Sequence, residues 1–549
     1  MDNQLPVTFL SVATAVLPIL VLLGLLVGRG WSTSSAAPVA LVVAVLVATT
    51  LFQTPLRTIA VAAGKGIWDA IFILYVVWPA LILYQVANGA GAFEAIRQGV
   101  LRLIPDRLLV ILVFAWVLTS FIQSIAGFGA PLAVVSPILL GLGVKPLYAV
   151  LLPIIGGAWA NSFGSLGTPW FALTSVVDIP DPSLTLRLGA LLVWIADLTA
   201  GLVIAWLYGR TWALRRGLPA ILVISLLHGG LLVLLLPMLL PIAMLIACSA
   251  GLAAALVLSR WSFYRQEDAD EPDRIFVQDE PAAPEAAAAG DGSRGEQPPM
   301  SLPVAFAPYM FLGIIAVVVL TITPIRSALE TVTVGLPFPA TNTGFGVREE
   351  AVDAYAAFTP LTHPGTFLLL SALFGYLMFK RRDRYPEGTS VGGVLRRAAA
   401  DALPVTTSVS ALLLMSGVMS HSGEITVLAL GLSAVAGSTV YLASANFIAI
   451  IGSLTTSSNT ASNVLFGPLQ ATGAQAEGVP VPLALGAQAA GAAVGNAISP
   501  ADALLGATTV GDPSLVGGVL RRAIPWAIVT GLLISLATVG LSVFLGADG

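Results

Sequence analysis

Thr455-Thr456-Ser457-Ser458-Asn459-Thr460-Ala461-Ser462-Asn463 is polar at every position but Ala461, yet it lies within an otherwise apolar stretch, 445–470. In water such a segment would be a loop. In a bilayer it must be buried in protein or line a water-filled cavity, because lipid offers no hydrogen-bond partner. Three more breaks resemble it. Gly495-Asn496-Ala497-Ile498-Ser499-Pro500-Ala501-Asp502 follows in the same half of the chain. In the other half stand Gln123-Ser124-Ile125-Ala126-Gly127-Phe128-Gly129-Ala130-Pro131 and Asn161-Ser162-Phe163-Gly164-Ser165-Leu166-Gly167-Thr168-Pro169. Each half thus has two breaks at similar offsets, and the second of each pair contains a proline.

Everything around these breaks is apolar. Of 549 residues, 57% are hydrophobic and 10% charged, and mean hydropathy is +0.92. So few charges cannot cover a water-exposed surface, which excludes a soluble enzyme. At one crossing per stretch of roughly 20 apolar residues, the length predicts about 14–16 membrane segments. The fold class expected is an all-α polytopic membrane protein embedded in the lipid bilayer. Runs such as Leu231–Leu240 do not alternate, which excludes an outer-membrane barrel. The first run, Val7–Val27, has no basic segment before it and reads as a retained helix. Hydropathy places further crossings at 127–143, 188–208, 425–441 and 445–470, among others.

Charge divides the chain. Residues 262–301 carry ten acids and three arginines. This Ala/Pro-rich stretch predicts a disordered cytoplasmic linker between a first transmembrane half, 1–261, and a second, 302–549. With both termini outside a plasma (inner) membrane, 20 of the 25 Lys/Arg fall on the cytoplasmic side and five outside. Residues 325–360 become an outer connector. The string VGGVLRRA occurs twice, at Val391–Ala398 and Val516–Ala523, and reads as an amphipathic interfacial helix. No basic face for nucleic acid remains. Cys248 is the single cysteine, and His228, His363 and His421 lie far apart, so no disulfide, metal site or cofactor is expected. No catalytic set is expected either.

In the assigned topology, the first break of the first half opens a crossing running inward, and the first break of the second half lies in one running outward. Opposed, paired broken helices predict two inverted-topology halves with re-entrant hairpins and a binding site between them. Free N–H groups at half-helix N-termini suit a small anion, and hydroxyl and amide side chains add donors without a competing charge. The candidate substrate-binding residues are Gly127, Phe128, Gly129, Asn161, Ser162, Ser165 and Thr168 from the first half. From the second come Ser457, Ser458, Asn459, Thr460, Ser462, Asn463 and Ser499. The competing reading is that small residues only let helices pack closely. Asp197, near the centre of 188–208, is costly in lipid and so a functional candidate. Glu94, Glu330, Glu424 and Asp401 read as solvated span ends, and His421 as a surface histidine.

At these residues the sequence resembles the L-lactate permease family, whose members take up lactate and glycolate in symport with protons. The strings are AGFGAP at 126–131, GLGVKPLYA at 141–149, FGSLGTP at 163–169, SNTASNVLFGPLQAT at 458–472 and ISP at 498–500. The resemblance implies a secondary transporter importing a small monocarboxylate. Ser458–Asn459–Thr460 is also similar to the carboxylate-binding triplets of the wider ion-transporter superfamily, which implies a homodimer with an elevator-like moving domain. This chain departs from the family pattern at three positions. Gln123 and Asn459 stand where the family usually has Glu and Asp, and Asp502 where it usually has an uncharged residue. Amides keep hydrogen bonds but carry no proton, which leaves Asp502, and after it Asp197, as proton-coupling candidates. A sodium-coupled or uncoupled carrier of another organic anion remains the alternative. A membrane enzyme would need a clustered nucleophile and base, which the sparse His, Asp and Glu do not supply.

Overall fold

The computed structural model describes residues 5, 7–127, 129–265, 274–276, 300–343, 345–386, 389–434 and 437–545. Among these, nine helices are long and apolar enough to cross a membrane, or up to 11 if each of two bent pairs is one span. Large apolar side chains such as Leu226, Leu234, Leu536 and Met238 point out of the protein, an arrangement that lipid requires and water penalises. The helix Pro182–Leu258 leaves helical angles at Gly209–Arg210 and again at Leu239, so its 77 residues form three arms.

Two pairs of helices turn back on themselves. In Ser438–Thr456 and Asn459–Ala476, Ser462 Oγ donates to the Ala449 carbonyl at 3.1 Å and Tyr441 OH to the Gln470 carbonyl at 2.7 Å. One residue number rises as the other falls, so the arms are antiparallel and meet at Ser457. The first half behaves likewise. Ser120 Oγ donates to the Gly156 carbonyl at 3.2 Å, and the Gly127 N–H to Ser165 Oγ at 2.9 Å. These pairs keep a near-constant separation, so Arg107–Ile125 runs parallel to Pro146–Asn161. The intervening helix Ala130–Gly141 therefore runs back the other way. After each hairpin comes a broken helix: Pro146–Asn161 bends by 51° into Gly164–Val176, and Val481–Asn496 breaks before Pro500–Thr509.

The hairpins open toward opposite faces. Lys145 N–H donates to the Ile275 carbonyl at 2.7 Å, Val144 bridges Phe276, and the Arg107 guanidinium lies 5.7 Å from the Phe276 ring. The ends of the first hairpin thus meet residues 274–276, at what is called here the linker face. The second hairpin's Asn459–Ala476 runs alongside Gly164–Val176, with Asn463 Nδ2 donating to the Pro169 carbonyl at 2.9 Å. Gly467 on that arm packs against Leu173, and Gly164–Val176 ends where the Tyr355 hydroxyl, on the strand Val352–Phe358 paired with Val334–Phe338, donates to the Ser175 carbonyl at 3.5 Å, at the strand face. The cross-packing is reciprocal: Pro500–Thr509 packs on Ala130–Gly141 as Gly164–Val176 packs on Asn459–Ala476.

Several expectations change. Residues 445–470 turn back at Ser457 and 127–143 hold the 12-residue return helix Ala130–Gly141, so neither is one straight crossing, and 425–441 resolves into the short helix Glu424–Ser433 and the start of the second hairpin. Hydropathy registers apolar length but not the direction in which the chain continues. Residues 325–360 hold two small antiparallel sheets rather than a plain connector. Both VGGVLRRA copies continue without interruption into membrane helices, Val391–Ser422 and Val516–Phe544, which accommodate Pro404 and Pro525 within them, as membrane helices packed on neighbours can. Most of 262–301 lies outside the described residues. Glu424 is wholly buried and His421 is 9% exposed, so neither is a solvated end. The packing reading holds for some glycines: a Cβ at Gly156 would sit 2.0 Å from the Ala115 carbonyl oxygen, and one at Gly491 2.1 Å from that of Asn446.

Candidate functional site

All four polar breaks converge on one cavity of about 350 Å3. Each break is a place where a helix stops and restarts. Gly129 (φ 86°), Ser165 (φ 48°), Leu166 (φ 52°), Gly167 (φ 84°) and Ser457 (φ 53°) adopt left-handed backbone angles, which end one helix and aim the next. Four helix starts then follow, at Ala130, just after Gly167, at Asn459 and at Pro500. Their first turns put Pro131, Pro169, Thr460 and Asp502 on the cavity wall. Four N-termini facing one cavity give it a positive dipole field without a basic side chain.

Of the sequence candidates, Gly129, Asn161, Ser165, Ser457, Ser458, Asn459 and Thr460 line the cavity, as does Asp502. Among the described lining residues Asp502 is the one ionisable group, and Asn496 Nδ2 donates to its Oδ2 at 2.7 Å. Asn459 Oδ1 and Asn496 Oδ1 have no hydrogen-bond partner within the protein. Six other candidates brace the wall from behind. The Gly127 N–H is held by Ser165 Oγ, and Ser162 Oγ donates to the Ala489 carbonyl at 2.7 Å while facing Asn459 Nδ2 at 3.3 Å. Thr168 Oγ1 donates to the Ser165 carbonyl at 2.6 Å. Ser462 and Asn463 tie the second hairpin to Ala449 and Pro169, and Ser499 Oγ caps the helix carrying Asp502 at 3.2 Å. Phe128 lies outside the described residues.

Asp197 is elsewhere. It is fully buried, taking Trp116 Nε1 at 2.9 Å and Ser225 Oγ at 2.6 Å, with His228 Nδ1 3.0 Å away. Sequence spacing gave no sign of this cluster, because its members come from three separate helical segments. Gln123, noted only as a departure from a family pattern, also lines the cavity and donates to Asn161 Oδ1. Thr119, Thr456, Asn496 and the Ser32–Ser34 stretch were missed as lining residues. Thr33 was legible only in three dimensions: its hydroxyl donates to the Thr456 carbonyl at 2.7 Å across 423 positions of chain.

Comparison with known proteins gives a consistent result. The L-lactate permease family profile matches residues 11–545. The L-lactate permeases of Salmonella typhi and Escherichia coli K12 are each 26% identical, covering 96% of this chain and 95% of theirs. The glycolate permease GlcA of E. coli K12 is 24% identical with the same coverage. The solved structure of Neisseria gonorrhoeae MtrF aligns at 13% identity over 87% of this chain and 82% of its own, with TM-score 0.43, a likeness too slight to build on.

Proposed function

The chain belongs to the L-lactate permease family, and from that premise we propose that it is a secondary transporter that imports L-lactate, glycolate or a similar 2-hydroxymonocarboxylate. It is an integral membrane protein by its apolar helices. The observation that carries the proposal is the convergence of four helix N-termini and neutral hydroxyl and amide donors on one cavity. Such a site neutralises one carboxylate by dipoles and hydrogen bonds alone. A volume of about 350 Å3 lies at the small end of ligand cavities, roughly 300–1,000 Å3, and suits a substrate of a few heavy atoms. Asn459 and Asn496 line the cavity and their buried carboxamide oxygens have no partner in the protein; rotation of either amide turns that acceptor to a donor on the substrate, which a 2-hydroxyl supplies.

The linker face carries Arg107, Lys145 and Arg274, and by the excess of basic residues it is the cytoplasmic side of the plasma membrane. Both termini then lie outside. The opposed hairpins behave as inverted repeats that expose the central cavity alternately to each side, in a homodimer working as an elevator. Proton symport through Asp502 is the coupling reading; a sodium-coupled or uncoupled carrier is its alternative. Counterflow in liposomes tests the whole: the protein should exchange labelled for unlabelled lactate or glycolate. Transport of dicarboxylates or sulfate, with monocarboxylates neither moving nor competing, would overturn the substrate assignment.

A further inference from the structure

A second cavity, about 560 Å3, lies toward the strand face. It is stacked on the central one along the same two helices. Gly164–Val176 gives Pro169 to the central cavity and Thr174 to the second, while Val391–Ser422 gives Leu412 to the first and Ser416 to the second. At 1.5 Å per residue these steps are about 6–8 Å along each helix. The second cavity therefore lies about one helical turn beyond the central one toward the strand face, and the two share no lining residue among those described.

Lys65 belongs to this second cavity and is only 4% exposed. Its ammonium faces His421 Nε2 at 3.2 Å. His421 Nδ1 lies 2.8 Å from the Gly417 carbonyl, so Nδ1 is the protonated nitrogen and Nε2 accepts from Lys65. That bond uses one of three ammonium donors. The Tyr355 ring lies 5.0 Å from Nζ. The Glu349 carboxylate, on the two-residue strand Arg348–Glu349, stands at 3.6 Å with 41% of its side chain exposed. This is within ion-pair range but too far for a hydrogen bond. Asp69, one turn along from Lys65, receives the Tyr355 hydroxyl at 3.0 Å. A buried cation thus has donors to spare and an open cavity in front, whose lining also carries the carboxylates of Asp69, Asp178 and Glu349, so among the described lining residues Lys65 is the one ammonium to which an anion can pair.

We propose that this cavity is a second, transient site for the small organic anion, in which the Lys65 ammonium takes the substrate carboxylate and Glu349 holds its place when the site is empty. The proposal rests on the monocarboxylate-carrier reading above. An anion arriving from the strand face displaces Glu349, pairs with Lys65, and then passes a little over one helical turn, about 6–8 Å, inward toward the four N-termini.

The test is labelled-lactate uptake into intact cells or right-side-out vesicles, with KM measured for wild type, Lys65→Gln and Glu349→Gln. Loss of a charged hydrogen-bond partner should raise KM about tenfold in Lys65→Gln. Removing the tethered competitor should lower KM in Glu349→Gln by about two- to threefold. Counterflow at saturating lactate should persist in both. A mere structural latch would shift both variants in the same direction or move neither, and either result overturns the proposal while lactate transport stands. If Lys65→Gln fails to fold, the half-exposed Glu349 decides alone: a lowered KM supports the site, and an unchanged or raised one overturns it. Wild-type protein that moves no lactate would instead defeat the transport reading, and this inference with it.

Discussion

Replacing Asp502 by asparagine removes one negative charge from the central cavity and little else. The bond from Asn496 Nδ2 to Oδ2, 2.7 Å, can be accepted equally by an amide oxygen, and the Ser499 cap goes to the backbone N–H. A cavity of about 350 Å3 puts a centred anion roughly 6 Å from a carboxylate on its wall, where like charges repel by about 3 kcal/mol at an effective dielectric near ~20. That is on the order of 100-fold in affinity. The repulsion exists while Asp502 is ionised and vanishes when it is protonated, so wild-type affinity for lactate should rise as pH falls. By reciprocity the substrate favours the proton by the same factor, which is what symport requires. Equilibrium binding of labelled lactate to purified protein, from mildly alkaline to mildly acidic buffer, measures this directly. Asp502→Asn should bind at the wild-type acidic-limit affinity at every pH. In liposomes it should lose stimulation by an inward proton gradient yet keep counterflow. Wild-type affinity that is flat with pH, or an Asp502→Asn variant with full stimulation, would refute the reasoning, and the first result would favour an uncoupled or sodium-driven carrier.

Asn459→Ala and Thr460→Ala should each weaken lactate binding about 10- to 150-fold, the worth of a hydrogen bond to a charged group, while Arg397→Ala at the linker side changes it little; binding isotherms showing equal losses in all three would argue against a localised site. Asp197→Asn leaves Trp116, Ser225 and His228 sharing a weaker acceptor, so about 1–3 kcal/mol of stability should be lost with proton stimulation intact. A thermal melt in detergent alongside gradient-driven uptake reads both, and the opposite pattern would make that cluster the coupling device. Gly156→Ala forces a Cβ to within 2.0 Å of the Ala115 carbonyl oxygen, so the helices must separate and size-exclusion profiles should show little folded protein; a wild-type profile and melting curve would contradict so close an approach.

The amino-acid sequence by itself determined the class of this protein and the ingredients of its site. With 10% charged residues in 549 there is no alternative to lipid around most of the chain, and composition is enough to see that. The four breaks were equally legible, because polar and helix-breaking residues at membrane depth are anomalies within short windows. Tertiary structure decided what each break does. Whether the chain after Gly129 or Ser457 continues across or turns back depends on a few backbone angles and on which helix receives the next one, and hydropathy carries neither. Side-chain direction was also settled by packing. Thr460 and Ser458 face the cavity while Ser462, a turn or less away, ties the two arms of the second hairpin together and Asn463 ties it to the broken helix Gly164–Val176. Asp197 looked like a carboxylate in lipid because its partners are 28 to 81 positions distant. Lys65 and Glu349 come within 3.6 Å of each other across 284 positions of chain, a pairing that no sequence window spans. A sequence reports which groups need partners; only the folded chain, by bringing remote helices within hydrogen-bond range, determines which of them are satisfied by the protein and which are left facing a cavity.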